Sequence, residues 1–319
     1  MSVEQFRKLE ANAHQSFEAS PYPVTWGLSV LDAWGTVAME AGNYGANTRF
    51  PAGAISNLAI ARALDVTPVD LAETASRKLE DVIGPQQPGP AVFLEEGAEM
   101  SRAVLAEGML RWGDDLAGRM LVRSLGGYKA VLDVLRAEPA FKDVNVRRLL
   151  TRPEGLDGIE GYESVFFPGH IVPREGAALL QQALKNPHYN RVLSRNIHAA
   201  SGLAAALQLN LDSQWLRYGM GLADSEGTLK RLAAVMRGER LPASQVEIMF
   251  KEPHLFTRHP NVFSHSGPAA GEVAEIGAYT VALMVGGWPF KRGRYNPMCH
   301  PEFRQLAAPI GEFVWRMQH

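Results

Sequence analysis

Apolar residues recur at intervals of three and four along most of this chain, and that spacing predicts amphipathic helices. The predicted helices cover residues 3–18, 52–64, 68–83, 95–124, 128–137, 175–185, 188–208, 211–222, 225–237, 242–251, 270–285 and 301–317. Residues 25–41 are almost continuously apolar and are predicted to form a central helix of the core. Sustained alternation of apolar and polar residues is absent. The sequence therefore predicts an all-α fold, a large irregular helical domain.

The clearest break in the pattern is Gly84–Pro90, which contains three prolines and two glycines. Such a segment is typical of a linker. It divides the chain into an N-terminal helical segment, residues 1–84, and a main helical domain, residues 91–319, although a single domain stays open. A proline followed two residues later by an aromatic recurs at Pro139, Pro187 and Pro301. This recurrence suggests helical-repeat character in the C-terminal half.

Composition narrows the classes of partner. The chain has 32 basic and 34 acidic side chains and a formal net charge of −2, so it carries no field that would attract nucleic acid or an anionic membrane. Its one cysteine, Cys299, excludes an intrachain disulfide. The sequence shows no secretory signal and no apolar run long enough to span a bilayer. We therefore expect a cytoplasmic protein.

Histidines are concentrated in one predicted loop between two helices. Of the nine histidines, His254, His259 and His265 fall within twelve residues, and Glu272 follows closely. Imidazole is the commonest metal ligand and a proton carrier near neutral pH. The three histidines are therefore candidate ligands or catalytic groups, with Glu272 as their carboxylate partner. Their spacing matches no standard ligand motif, so a role in capping helices stays open.

Part of this loop resembles a family of haem enzymes. Pro253-His254-Leu255, followed by Ser266-Gly267-Pro268, is similar to the proximal-histidine and glycine-rich stretch of the pyrrolnitrin-pathway branch of the tryptophan dioxygenase superfamily. The resemblance covers residues 253–268 only. It implies that His254 would hold a haem iron, so haem or iron is the cofactor to test for.

Two acidic clusters lie elsewhere. Glu160 and Glu163 flank Tyr162 in an irregular segment, where burial beside aromatics would raise a carboxyl pKa and suit a general acid. Asp114-Asp115 resembles the paired carboxylates of helical terpene synthases but lacks the third acid. That pair is predicted to be solvated.

Two functions are consistent with these patterns. The first is a helical enzyme acting on a small molecule, a haem- or metal-dependent oxidoreductase that uses the histidine-rich loop. The alternative is a tetratricopeptide-like interaction module without catalysis, since His300–Leu306 resembles the helix that closes such arrays. The patterns do not decide whether the protein is an enzyme. A homo-oligomer stays open.

Overall fold

Five antiparallel strands form the central layer of the molecule, and helices pack on both faces of this sheet. The computed structural model describes residues 1–45, 48–82, 91, 94–141, 145–152, 159–160, 167–198, 260–266, 269–287 and 299–318. In chain order the helices are α1 (Val3–Glu18), α2 (Asn57–Val66), α3 (Arg102–Trp112), α4 (Asp115–Ser124), α5 (Tyr128–Ala137), α6 (Val146–Leu149), α7 (Pro173–Leu184), α8 (Pro187–His198) and α9 (Cys299–Arg316).

The strands are β1 (Thr25–Leu31), β2 (Val37–Gly42), β3 (Phe50–Pro51), β4 (Thr74–Ser76), β5 (Glu99–Ser101), β6 (Leu150–Thr151), β7 (Phe167–Pro168), β8 (His170–Ile171), β9 (Asn261–Ser266), β10 (Ala269–Ile276) and β11 (Tyr279–Gly286). The central sheet has the order β2-β1-β11-β10-β9. The other strands form short two-stranded pairs, and the turn Gly53–Ser56 before α2 is a 3-10 helix.

The predicted all-α fold is wrong, and the reason lies in the buried strands. Residues 25–41, predicted to be a helix, form β1 and most of β2. Residues 26–31 of β1 are all buried, so both faces of the strand are apolar and no alternation appears in the sequence. Residues 270–285, also predicted to be a helix, form β10 and β11, joined by a turn in which Gly277 has φ +58°. Periodicity alone does not distinguish such strands from buried helices.

The helix predictions elsewhere have mixed outcomes. The bounds predicted for α1 and α5 are confirmed, and α7 and α9 lie within two residues of their predicted bounds. Residues 68–83 are not a helix but contain β4 and a short 3-10 turn, while 95–124 divides into β5, α3 and α4. Helical-repeat character in the C-terminal half is wrong, because β9, β10 and β11 are consecutive antiparallel strands. The helices predicted at 211–222, 225–237 and 242–251 lie outside the described residues.

Each face of the sheet has its own core. On one face α1 and α9 cover Leu28, Val30 and Leu283. On the other face α7 lies against β1, β10 and β11, and α2 to α5 and α8 complete a larger helical layer. The sheet takes strands from both sides of the predicted linker Gly84–Pro90, which itself lies outside the described residues. Within the described residues, no helix has the length and apolarity that a bilayer span requires.

Candidate functional site

The residues that the sequence predicted as a site do not form one in the described structure. His254, His259 and Glu163 lie outside the described residues, and Glu160 lies in an exposed turn. His265 belongs to strand β9, opposite Ala270, rather than to a loop between helices. The described residues contain no group of three or more histidines, cysteines and acids that could hold a metal ion.

Glu272 has a structural partner inside the same hairpin. It is fully buried on β10, and its Oε1 accepts a hydrogen bond of 2.8 Å from Asn261 Nδ2 on β9. Burying a carboxylate costs free energy unless it is hydrogen-bonded, and the Asn261 amide supplies a hydrogen bond here. The structure therefore supplies a local reason for this acid.

The start of α2 is a buried turn on the face of the sheet that α7 covers. Gly53 adopts φ +47°, a conformation that favours glycine, and it lets the chain turn from β3 into the helix. Residues 52–61 are buried with one exception, Ala54, which is half-buried. The side chain that this turn presents to the surface is therefore a methyl group.

Two other segments meet this turn. An ideal Cβ added to Gly53 would lie 1.8 Å from Ser264 Oγ, so the edge strand β9 lies directly against the turn. On the other side, buried Asn57 donates from Nδ2 to the carbonyl oxygen of Met109 in α3, at 3.0 Å. The start of α2 is thus held between the edge of the sheet and the end of α3.

The turn between α3 and α4 follows Met109, the residue that Asn57 contacts. Gly113 ends α3 in the left-handed conformation at φ +66°, and Asp114 caps α4. The Asp114 carboxylate is fully buried and accepts hydrogen bonds from Ala117 N at 3.0 Å and Ala91 N at 2.7 Å. Burial raises the pKa of Asp114 from 3.8 to about 6, against the effect of these two hydrogen bonds. The prediction that this acid is solvated is wrong.

Buried charges anchor α4 beneath that turn. Arg123 donates from Nε and Nη2 to the fully buried Asp81, at 2.9 and 2.7 Å. Arg119, almost fully buried, donates to the Asp81 carbonyl oxygen at 3.3 Å, and burial lowers the pKa of its guanidinium. These contacts fix the helix that carries Asp114 relative to the segment after β4.

Solved structures share this architecture. One is PBP-A, with 15% sequence identity and a TM-score of 0.57 over 98% of this chain and 96% of that chain. A second is a D-alanyl-D-alanine carboxypeptidase from Mycobacterium tuberculosis H37Rv, with 17% identity and a TM-score of 0.52 over 94% of each chain. A third is the TLA-3 extended-spectrum beta-lactamase, with 13% identity and a TM-score of 0.56 over 98% of this chain and 99% of that chain.

At these identities the likeness is one of fold. No family model matches the chain, and no curated protein matches it. The likeness nevertheless overturns both functions that the sequence suggested. A helical haem- or metal-dependent oxidoreductase and a tetratricopeptide-like module each require an all-helical fold, whereas this chain shares its α/β fold with PBP-A, the D-alanyl-D-alanine carboxypeptidase and the beta-lactamase. The resemblance of residues 253–268 to tryptophan dioxygenases fails with them, since 261–266 form a strand.

Enzymes of this class carry three motifs, S-x-x-K with the serine nucleophile, S-D-N and K-T-G. None of the three occurs anywhere in the 319-residue sequence. The start of α2, the turn between α3 and α4, and strand β9 follow one another along the chain in this order. They contain Ala54-Ile-Ser-Asn57, then Gly113-Asp114-Asp115, then His265-Ser266-Gly267. None of these segments carries one of the three motifs intact, so the motifs do not identify a site in this sequence.

Proposed function

We propose that this protein binds a β-lactam-like or D-alanyl peptide ligand reversibly, in a cleft that we place at the start of α2, without forming an acyl-enzyme. The observation that carries the proposal is the residue presented by the turn, Ala54, at the spacing where S-x-x-K has its serine. The ligand class comes from the proteins of similar fold, one of which was solved as an acyl-enzyme complex with penicillin G.

The chemistry of acyl transfer supports the loss of catalysis. Covalent catalysis needs a nucleophile next to a base that activates it. Ala54 has no hydroxyl group, and the Asn57 amide is neither a base nor free, because it donates to Met109 O at 3.0 Å. Ser56 does not replace the nucleophile, since it is fully buried, bonds to Gly53 O at 2.7 Å, and has alanine rather than lysine three residues later.

The elements that recognise a ligand remain. The turn Gly53–Ser56 and the helix α2 that follows it place the positive end of the helix dipole near Ala54, which suits a carboxylate or a carbonyl oxygen. Strand β9 is the last strand of the central sheet, so its outer edge offers backbone groups to an extended peptide. Neither element depends on the missing serine and lysine.

Mass spectrometry of the intact protein after incubation with penicillin G tests the absence of acylation. We expect no mass increase, together with reversible binding of the same compound or of acetyl-Lys-D-Ala-D-Ala in calorimetry. A stoichiometric adduct would show that the protein is an acylating serine enzyme. An absence of any binding by either compound would refute the ligand class.

Restoring the motif gives a second test. The double variant Ala54→Ser with Asn57→Lys creates S-x-x-K at the turn, and we expect it to acquire a penicillin adduct on residue 54. Ala54→Ser alone is the matched control, because it supplies the hydroxyl group without the base. A double variant that melts cooperatively, binds penicillin G and forms no adduct would contradict the placement of Ala54 at the nucleophile position.

A serine hydrolase with a displaced nucleophile is the second candidate. Ser264 favours it, because its Oγ lies beside Gly53 and has no hydrogen-bond partner among the described residues. Its near-complete burial stands against it, since a nucleophile must reach its substrate. Peptide mapping of any penicillin adduct distinguishes the two candidates: an adduct on Ser264 would establish this one.

A further inference from the structure

A cavity lies on the face of the sheet opposite the start of α2. It is bounded by the last turn of α1, the connection through residues 20–24, Trp26 on β1, and Asn43 after β2, and its volume is about 470 Å³. Cavities of roughly 300–1,000 Å³ are typical of small-molecule sites. Phe17 and Trp26 belong to the core under α1 and α9, whereas α2 belongs to the other core. The cavity is therefore separate from the proposed cleft.

Aromatic and proline side chains form most of its wall. Phe17 and Trp26 stack with ring centroids 4.6 Å apart and an interplanar angle of 19°. His14 meets Trp26 edge to face at 5.0 Å. Tyr22, between Pro21 and Pro23, closes the other side. This wall would accept a flat or compact apolar body.

Several polar groups of the wall already form hydrogen bonds within the protein. Asn43 accepts from Trp26 N at 2.7 Å and donates to Val24 O at 2.9 Å, which holds the cavity in shape. Ser20 Oγ accepts from Tyr22 N at 3.3 Å. The exposed carboxylate of Glu18 differs, because it makes no hydrogen bond or ion pair with another described residue. It lies one turn after His14 on the same face of α1.

The charge of the lining selects the ligand. Among the described residues, Glu18 is the only acid that lines the cavity, and no described lysine or arginine lines it. A carboxylate beside aromatic rings suits an ammonium group, which gains a charge-assisted hydrogen bond and attraction to the ring faces. We propose that this cavity binds a small organic amine, with its apolar body against Tyr22 and the two prolines that flank it and its ammonium group on Glu18.

Calorimetry with phenethylamine and its neutral analogue 2-phenylethanol tests the proposal on the full chain. Both probes offer the same apolar body, so their difference reports the ammonium group. We expect phenethylamine to bind about tenfold more tightly, and Glu18→Gln to abolish this preference. Tyr22→Ala should weaken both probes, because it removes part of the shared wall.

Glu10→Gln is the matched control, since Glu10 is an exposed acid of α1 that does not line the cavity. It should leave the preference unchanged. Equal binding of the two probes, no binding of phenethylamine, or an equal effect of Glu10→Gln and Glu18→Gln would each overturn the proposal. Because the cavity and the cleft lie on opposite faces, Glu18→Gln should not change penicillin G binding, so the two proposals fail independently.

Discussion

Asp114 should make the protein less stable as pH rises from about 4 to about 7, and Asp114→Asn should remove this dependence. The carboxyl group is fully buried, and burial raises its pKa from 3.8 to about 6 in the folded state. An acid with a raised folded pKa favours the folded state below its unfolded pKa. That contribution is lost as pH rises through the folded pKa, because the buried group must then ionise.

The magnitude follows from the two pKa values. One pKa unit corresponds to about 1.36 kcal/mol, so the change from 3.8 to about 6 represents about 3 kcal/mol between the two ends of the window. Asparagine also caps helices well, so the variant keeps the bond to Ala117 N. The two oxygens of Asp114 each accept one of these hydrogen bonds, whereas asparagine has an NH₂ group in place of the second oxygen. The variant therefore loses the bond from Ala91 N, and this loss of stability is the same at every pH.

Urea unfolding of both proteins at several pH values from 3.5 to 8 measures the effect. The difference in unfolding free energy, wild type minus Asp114→Asn, should fall by about 3 kcal/mol across the window, while all other acids cancel. Asp133→Asn is the control of opposite sign, because Lys129 holds the pKa of the exposed Asp133 below its usual range. A flat difference for Asp114, or one that rises with pH, would refute the reasoning.

Three further changes test the packing on both faces of the sheet by urea unfolding. Gly53→Ala should cost about 2 kcal/mol or more, because alanine is strained at φ +47° and its Cβ would collide with Ser264 Oγ. Asp81→Ala should cost about 3–5 kcal/mol, because it leaves the charge of Arg123 without its buried partner. Phe303→Ala should also cost about 3–5 kcal/mol, since the ring is fully buried under the sheet.

Each of these changes has a control on the surface or at an open position. Gly45→Ala should be nearly neutral, since nothing lies within 4 Å of the added methyl group. Lys129→Ala breaks only an exposed ion pair and should cost less than about 0.5 kcal/mol. Phe303→Leu keeps most of the buried apolar volume and should cost less than Phe303→Ala. A control as destabilising as its partner would contradict the contact described for that partner.

Local signals predicted the exposed helices well and the buried strands badly. In α1 only Leu9, Ala13 and Phe17 are buried, so its periodicity is plain and its predicted bounds are right. In β1 and β11 nearly every residue is buried, so the pattern carries no period. Gly277 marks the turn between β10 and β11, although the apolar residues on both sides of it predict a helix over 270–285.

The candidate site could not be found from local sequence for a different reason. Ala54, Asn57 and Asp114 acquire meaning only when α2, β9 and the α3–α4 turn come together, and those segments are separated by long stretches of chain. Alanine and asparagine carry no chemical signature of their own. The three histidines, by contrast, predict a metal site because they are close together in the sequence. His265 nevertheless lies in a strand, and the described residues contain no cluster that could hold a metal ion.

The order of strands in the sheet also determines when the protein can fold. β1 lies between β2 and β11, with Thr25 opposite Gly286. One edge of β1 can therefore pair only after β11, about 250 residues further along the chain, has been synthesised. Contacts this distant in sequence slow folding, because the chain must close a very long loop before they form. Until β11 is made, β1 has one edge without a partner strand, and such an edge next to Trp26, Leu28 and Val30 is a template for aggregation. The nascent chain should therefore complete its central sheet only after β11 has been synthesised.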